Sequence, residues 1–129
     1  MKEVIEMADK WQAIDLFWNS FGLPAYDQNT VPSGAAFPYI TYSASSGAIG
    51  GLIVLSASIW YYSESWEDIS KKADQIAREI GHGYKIMSVD GGYLWITRGT
   101  PFAQRMSDEA DDKIRRMYIN TQAEFLTAY

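Results

Sequence analysis

Between residues 3 and 21, Val4, Ile5, Ala8, Trp11, Ile14, Leu16, Phe17, Trp18 and Phe21 recur mostly three and four positions apart. That spacing puts one apolar stripe along an α-helix, and Gly22 and Pro24 end it. Residues 24 to 36 lose the pattern, carry Pro24, Pro32 and Gly34 among polar neighbours, and read as a surface loop. From Phe37 to Ala44 the period changes to two, in β-branched and aromatic residues, which predicts a strand. Pro38 marks its start or a sheet edge. The Gly-rich SSGAIGG segment joins it to a long strand from Leu52 to Tyr62, making a hairpin.

Ser65 with Asp68 three positions on resembles a capping box with Asp in the usual Glu place. It opens a helix whose Ile69, Ala73, Ile76, Ala77 and Ile80 share one face, with Gly81 as its left-handed stop. Next, YKIMSV and YLWITR flank Asp90-Gly91-Gly92, a strong short-range hairpin signal. Residues 99 to 112 read as a loop with an acidic end. In the last segment Met117, Ile119, Thr121, Ala123 and Phe125 alternate with polar positions, as in a half-buried strand. The expected order is α-β-β-α-β-β-β. The fold class is α+β, with a mainly antiparallel sheet of about five strands and helices packed on one face.

The pattern leaves one question open. In the long strand, Leu52, Val54, Ser56, Ser58, Trp60 and Tyr62 oppose Ile53, Leu55, Ala57, Ile59 and Tyr61, so both faces are partly apolar. Tyr93, Trp95 and Thr97 oppose Leu94, Ile96 and Arg98 in the same way. One helix layer covers one face. Either the core is two-sided, or another subunit buries part of the second face.

Composition narrows the picture further. The 129 residues suit one domain, residues 1–129, large enough for a core without staples. Five Trp, nine Tyr and five Phe are a large aromatic share, usable in a core or at a partner surface. The lack of cysteine rules out disulfides, thiolate metal sites and cysteine nucleophiles, and agrees with a reducing compartment. A net charge of −5 argues against sequence-specific nucleic-acid binding, which draws on clustered Lys and Arg. Charges interrupt every apolar run of the first ten residues, so no signal peptide is expected. The longest apolar stretch, Gly51 to Ala57, is far below the roughly 20 residues of a membrane helix, so the expectation is a soluble protein without a membrane partner.

Candidate chemistry is sparse. His82, the one histidine, lies between two glycines and suits a solvated helix end. The run from Ser107 to Asp112 lacks the alternating ligands, central Gly and terminal Glu of an EF-hand loop. Gly47-Ala-Ile-Gly50-Gly51 joins two strands and lacks the Lys-Ser/Thr ending of a phosphate loop. With a single histidine, the many Ser and Thr have little from which to build a hydrolytic triad. No catalytic residue, metal site or cofactor is expected.

Three segments together carry a resemblance: PYITY near residue 38, SIWYYSESWEDISKKADQIAREIG at 58 to 81, and DGGYLWITRGTPFAQRM at 90 to 106. The closing DDKIRRMYINTQAEFLTAY, from Asp111, fits the same pattern. Over roughly residues 37 to 129 the chain resembles a family of tailed-phage and prophage minor tail proteins, of the tail-terminator, tail-completion and tail-to-head joining kind. The resemblance implies an α+β, tail-terminator-like subunit of the virion tail, assembled in the cytoplasm of a bacterial host. It implies a self-assembled ring, commonly a hexamer, that caps the tail tube protein and docks the head connector or neck proteins. DNA passes through such a ring, and neither cofactor nor active site belongs to the role. A ring needs two different patches that meet on successive copies. Phe102, Arg105, Asp111, Asp112, Arg115 and Arg116 are the candidate interface residues. Two alternatives stand beside this reading: a neck or head-completion protein of the same virion and, more distantly, a small-ligand binder or enzyme.

Overall fold

A computed structural model of the chain describes residues 9–46 and 52–127. The first helix, α1 (Lys10–Trp18), begins later than the apolar stripe suggests, because Asp9 and Gln12 form a reciprocal capping box. The Asp9 side chain accepts from the Gln12 backbone N–H at 2.8 Å, and the Gln12 side chain accepts from the Asp9 N–H at 3.0 Å. Residues 1–8, where the sequence places the helix start, lie outside the described residues. After Trp18 the chain tightens into a 3₁₀ turn (Asn19–Phe21), and Gly22 closes it with a φ of 82°. The helix end falls where Gly22 and Pro24 put it.

The expected loop over 24–36 contains a strand, β1 (Ala25–Asp27), which runs parallel to β2 (Tyr39–Ser46). Three residues give too little alternation to stand out in sequence. A side chain supplies part of what the short ladder lacks: Asn19 accepts from the Ala25 N–H at 3.0 Å and donates to the Ala25 carbonyl at 3.3 Å. Pro38 does mark a strand start, but β2 is interior, between β1 and β3 (Leu52–Tyr62). The predicted β2–β3 hairpin forms, with Tyr39 opposite Trp60 and Ser46 opposite Ile53. Its Gly-rich joint, Gly47 to Gly51, lies outside the described residues.

Helix α2 (Glu67–Ile80) follows the sequence reading closely except at its start. Trp66, not Ser65, is the N-cap, and it makes no side-chain cap bond. Ser65 instead accepts from the Glu67 N–H at 3.0 Å, and Glu67 and Asp68 place negative charge on the first turn. Gly81 ends the helix at a φ of 77°, but its ψ of −173° makes it an extended exit rather than the expected left-handed cap. Strand β4 (Lys85–Val89) and β5 (Gly92–Met106) form the second predicted hairpin, and β6 (Ile114–Thr127) closes the chain.

The reading of residues 99–112 as a loop is corrected. Strand β5 continues to Met106, because a bulge absorbs the residues that look like a break. Arg98 pairs with Thr121 and Ala103 with Ile119, so Gly99 to Phe102 stand opposite Asn120 alone. Pro101, which cannot donate to a ladder, falls inside the bulge. Only residues 107–113 remain as connection.

The sheet therefore has six strands in the order β1-β2-β3-β6-β5-β4, antiparallel throughout except β1 with β2. The α+β class holds. The strand count of about five and the α-β-β-α-β-β-β order are corrected to six strands and α-β-β-β-α-β-β-β.

Both helices share one core with the sheet. Phe17, Trp18 and Phe21 stack edge-on at its centre, with Phe17 4.8 Å from Trp18 and 5.2 Å from Phe21. They meet Ile14, Ile40, Leu55, Ile59, Leu94, Ile96 and Ile119, together with Ile69, Ile76 and Ile80 from α2. Each fully buried aliphatic here contributes about 1.5–3 kcal/mol relative to exposure. Helix α1 touches both edge strands, β1 and β4, while α2 lies over β3, β5 and β6. A flat six-stranded sheet would hold its edges about 24 Å apart. A nine-residue helix is only about 13.5 Å long. The sheet must curl round the helices, which leaves its other face convex and uncovered among the described residues.

Candidate interaction face

The alternation along each strand decides what the convex face carries. On β3 Ile53, Leu55, Ala57 and Ile59 are buried on the helix side, so the alternation points Val54, Ser56, Ser58, Trp60 and Tyr62 outward, with Ser58 also buried, beneath Arg116. The facing pattern read from sequence is the observed one. Of its two explanations, a two-sided core is not what the described residues form.

One corner of this face is aromatic. Tyr39 stacks on Trp60 with centroids 6.2 Å apart and planes 22° from parallel. Phe37 lies 5.3 Å from Tyr39 and 5.8 Å from Tyr62, and Tyr26 lies 6.1 Å from Tyr39. Phe37 and Tyr62 are exposed, and the other three are half-buried. The Trp60 indole donates to Thr41 at 2.9 Å, which fixes the ring on the surface. Arg116 lays its guanidinium 4.9 Å from the Trp60 centroid and donates from Nε to Ser58 at 3.0 Å. Beside it opens a hollow of about 310 Å³, walled by Tyr39, Trp60, Arg116, Tyr118 and the hydroxyls of Thr41 and Ser56.

The diagonal corner is aromatic as well. Tyr84 stacks on Trp95 at 4.5 Å with planes 13° apart. Ile86 is paired with Trp95 across β4 and β5, and Tyr93 with Leu126 across β5 and β6. Tyr84, Ile86, Tyr93 and Leu126 are all exposed. Glu124, opposite Trp95, is exposed on the same face. Between the corners runs a band that includes Ser56, Thr97, Asn120 and Gln122, polar except for the exposed Val54 opposite Gln122.

The six candidate interface residues do not form one patch. Arg116 belongs to the first aromatic corner. Arg105 and Arg115 project to the helix side, where their guanidiniums lie 5.0 and 5.1 Å from the Trp66 ring. Arg115 also donates to the Glu64 carbonyl at 2.9 Å. Phe102 sits in the bulge, packed against the core, with the Arg98 guanidinium 6.0 Å from its ring. Arg98 donates to the Ala77 carbonyl at 2.8 Å, placing a cation at the end of α2. Phe102 and Arg105 are thus strand residues rather than loop residues. Asp111 and Asp112 do lie in the connection. Asp111 accepts a hydrogen bond from the Tyr62 hydroxyl, and that bond and the carboxylate's charge push the Tyr62 phenol above its ordinary pKa. Asp112 is exposed, beside a small hollow of about 130 Å³ lined by Trp66 and Arg115.

Ion pairing is selective. Lys71 pairs with Glu67, Lys85 with Glu79, and Lys113 with Glu64. Among the described residues Arg98, Arg105, Arg115 and Arg116 pair with no carboxylate and rest on aromatic rings instead. Sequence reasoning found Arg116 but missed Tyr39, Trp60, Tyr84 and Glu124 as members of surface clusters. The alternation placed Trp60 on the outer face, but the strand order that gathers these residues is not written in any one segment. His82 is exposed in the turn after α2, and the described residues contain no group of three His, Cys, Asp or Glu able to hold a metal.

No protein-family model and no curated protein matches the chain. Among solved structures, the chain is similar to one in the virion of a native gene transfer agent particle. The TM-score is 0.51 at 14% sequence identity, with 86% of this chain and 82% of that chain covered. At that identity the likeness is one of fold.

Proposed function

We propose that this chain is a structural subunit of a phage-like virion, a tail-terminator or tail-completion protein that forms a ring capping the tail tube and joining it to the head. The observation that carries the reading is the fold shared with a chain of a gene transfer agent virion across most of both chains. Its convex sheet face, with aromatic corners and no cover among the described residues, supplies the contact surface that such a role requires. In this reading the activity is contact, not catalysis. The ring is six-fold, its partners are the tail tube protein and the head connector, and DNA passes through its centre. Assembly takes place in the cytoplasm of the bacterial host.

Tails purified from cells in which heads fail to form provide the test. Immunogold labelling against this chain should mark one tip of each tail, and deleting the gene should give tubes of uncontrolled length. Label confined to heads, with tails of normal length in the deletion, would replace this reading with the neck or head-completion one. A chain absent from every particle would end both.

A further inference from the structure

Each aromatic corner of the convex face carries one charged β6 side chain with no ionic partner among the described residues, Arg116 at one and Glu124 at the other; Asp111 lies at the rim of the first corner, on the Tyr62 hydroxyl. Arg116 rests on Trp60 and donates to Ser58, and Glu124 stands opposite Trp95; neither forms an ion pair among the described residues. Both lie on β6, on the same face, eight residues apart, which is about 27 Å along a strand. The intervening band is polar except for the exposed Val54, so the aromatic clusters are separate patches rather than one.

We propose that copies of this chain bind one another head to tail through these corners, with the Phe37–Tyr39–Trp60–Arg116 corner of one copy on the Tyr84–Tyr93–Trp95–Glu124 corner of the next. Charge complementarity selects a second copy as the occupant, since the molecule bears both halves of the match. Trp, Tyr and Arg are the residues that dominate binding energy at protein contacts; both corners carry Trp and Tyr, and the first adds Arg116. The shape sets the symmetry. Two convex faces laid against each other touch only near their middles, where this one is polar apart from Val54, so a two-fold pair would leave the aromatic corners wet. Meeting corner to corner joins two different patches, and repeated contacts of that kind close into a ring or continue as a filament. The ring outcome rests on the virion-subunit reading; the contact itself does not.

The test reverses each charge. Sedimentation velocity over a concentration series up to about 1 mM, a range that covers weak contacts, should show the parent protein associating, and less so at high salt. Arg116→Glu and Glu124→Arg should each weaken self-association about tenfold or more, because like charges then meet. An equimolar mixture of the two variants should associate again, as should the double variant R116E/E124R. Mixing cannot rescue a variant that fails to fold, so this arm separates a lost contact from a lost structure. A parent that stays monomeric throughout, or variants that remain apart when mixed, would overturn the proposal. Tail-tip labelling with unchanged assembly of the variants would remove this contact and leave the virion role standing. Self-association that obeys the charge swap in a protein absent from tails would do the reverse.

Discussion

Gly99 sits where the bulge of β5 crosses β6, and replacing it with Ala should destabilise the fold out of proportion to one methyl group. A Cβ built there would lie 2.6 Å from both Cγ and Nδ2 of Asn120 and 2.9 Å from the Asn120 carbonyl oxygen. The Asn120 side chain can rotate away at modest cost. Its carbonyl cannot, because β6 is held between β3 and β5. Overpacking of this kind costs about 1–3 kcal/mol, and the rigid carbonyl places Gly99→Ala near about 2 kcal/mol. The double variant G99A/N120A removes the side-chain half of the clash and keeps the carbonyl half. It should therefore be less destabilised than the sum of the two single changes, by about 1 kcal/mol. Urea unfolding followed by tryptophan fluorescence measures each term, with a constant slope showing that the denatured state is unchanged. For a chain of this length, 1 kcal/mol corresponds to a melting shift of about 3–5 °C. A Gly99→Ala protein within about 0.5 kcal/mol of the parent, or strict additivity in the double variant, would refute the close approach.

Two further changes probe the helix start and the alkaline limb. Asp9→Ala removes one arm of the capping box and should lower stability by about 1 kcal/mol in the same urea assay, whereas Asp9→Asn should retain most of it. The Tyr42 phenol is pushed above its ordinary pKa of 10.0 by burial first, and then by its hydrogen bond to Asp15. The folded state holds that proton more tightly, so its contribution is intact below pH 10 and lost as pH rises further. Tyr42→Phe should be the less stable protein at neutral pH, with a gap to the parent that narrows above pH 10. Parallel stability curves would show that this phenol is not what the alkaline limb reports.

The elements with their own local signals were legible in the sequence. Ile69, Ala73, Ile76 and Ile80 repeat often enough to define α2, and Asp90-Gly91-Gly92 marks a turn by chemistry alone. What escaped depends on partners distant in sequence. Strand β1 has three residues and is held partly by the Asn19 side chain, so no alternation announces it. The second half of β5 looks like a loop because Gly99 and Pro101 are strand breakers, and only Asn120 opposite them reveals a bulge. The surface clusters were illegible for the same reason. Tyr84 and Trp95 are eleven positions apart, and Trp60 and Arg116 much further, so only the strand order makes them neighbours.

The pairing of β3 with β6 also governs how the chain is made. Tyr62 waits for Ile114 and Leu52 for Glu124, so β3 leaves the ribosome more than about 50 residues before its partner. At elongation rates of about 5–20 residues per second, that is a delay of several seconds. During it the hairpin of β2 and β3 presents an eleven-residue edge with apolar side chains on both sides. Production of this protein should therefore depend on what shields a nascent strand, so slower translation after residue 62 or loss of ribosome-bound chaperones should send it into inclusion bodies.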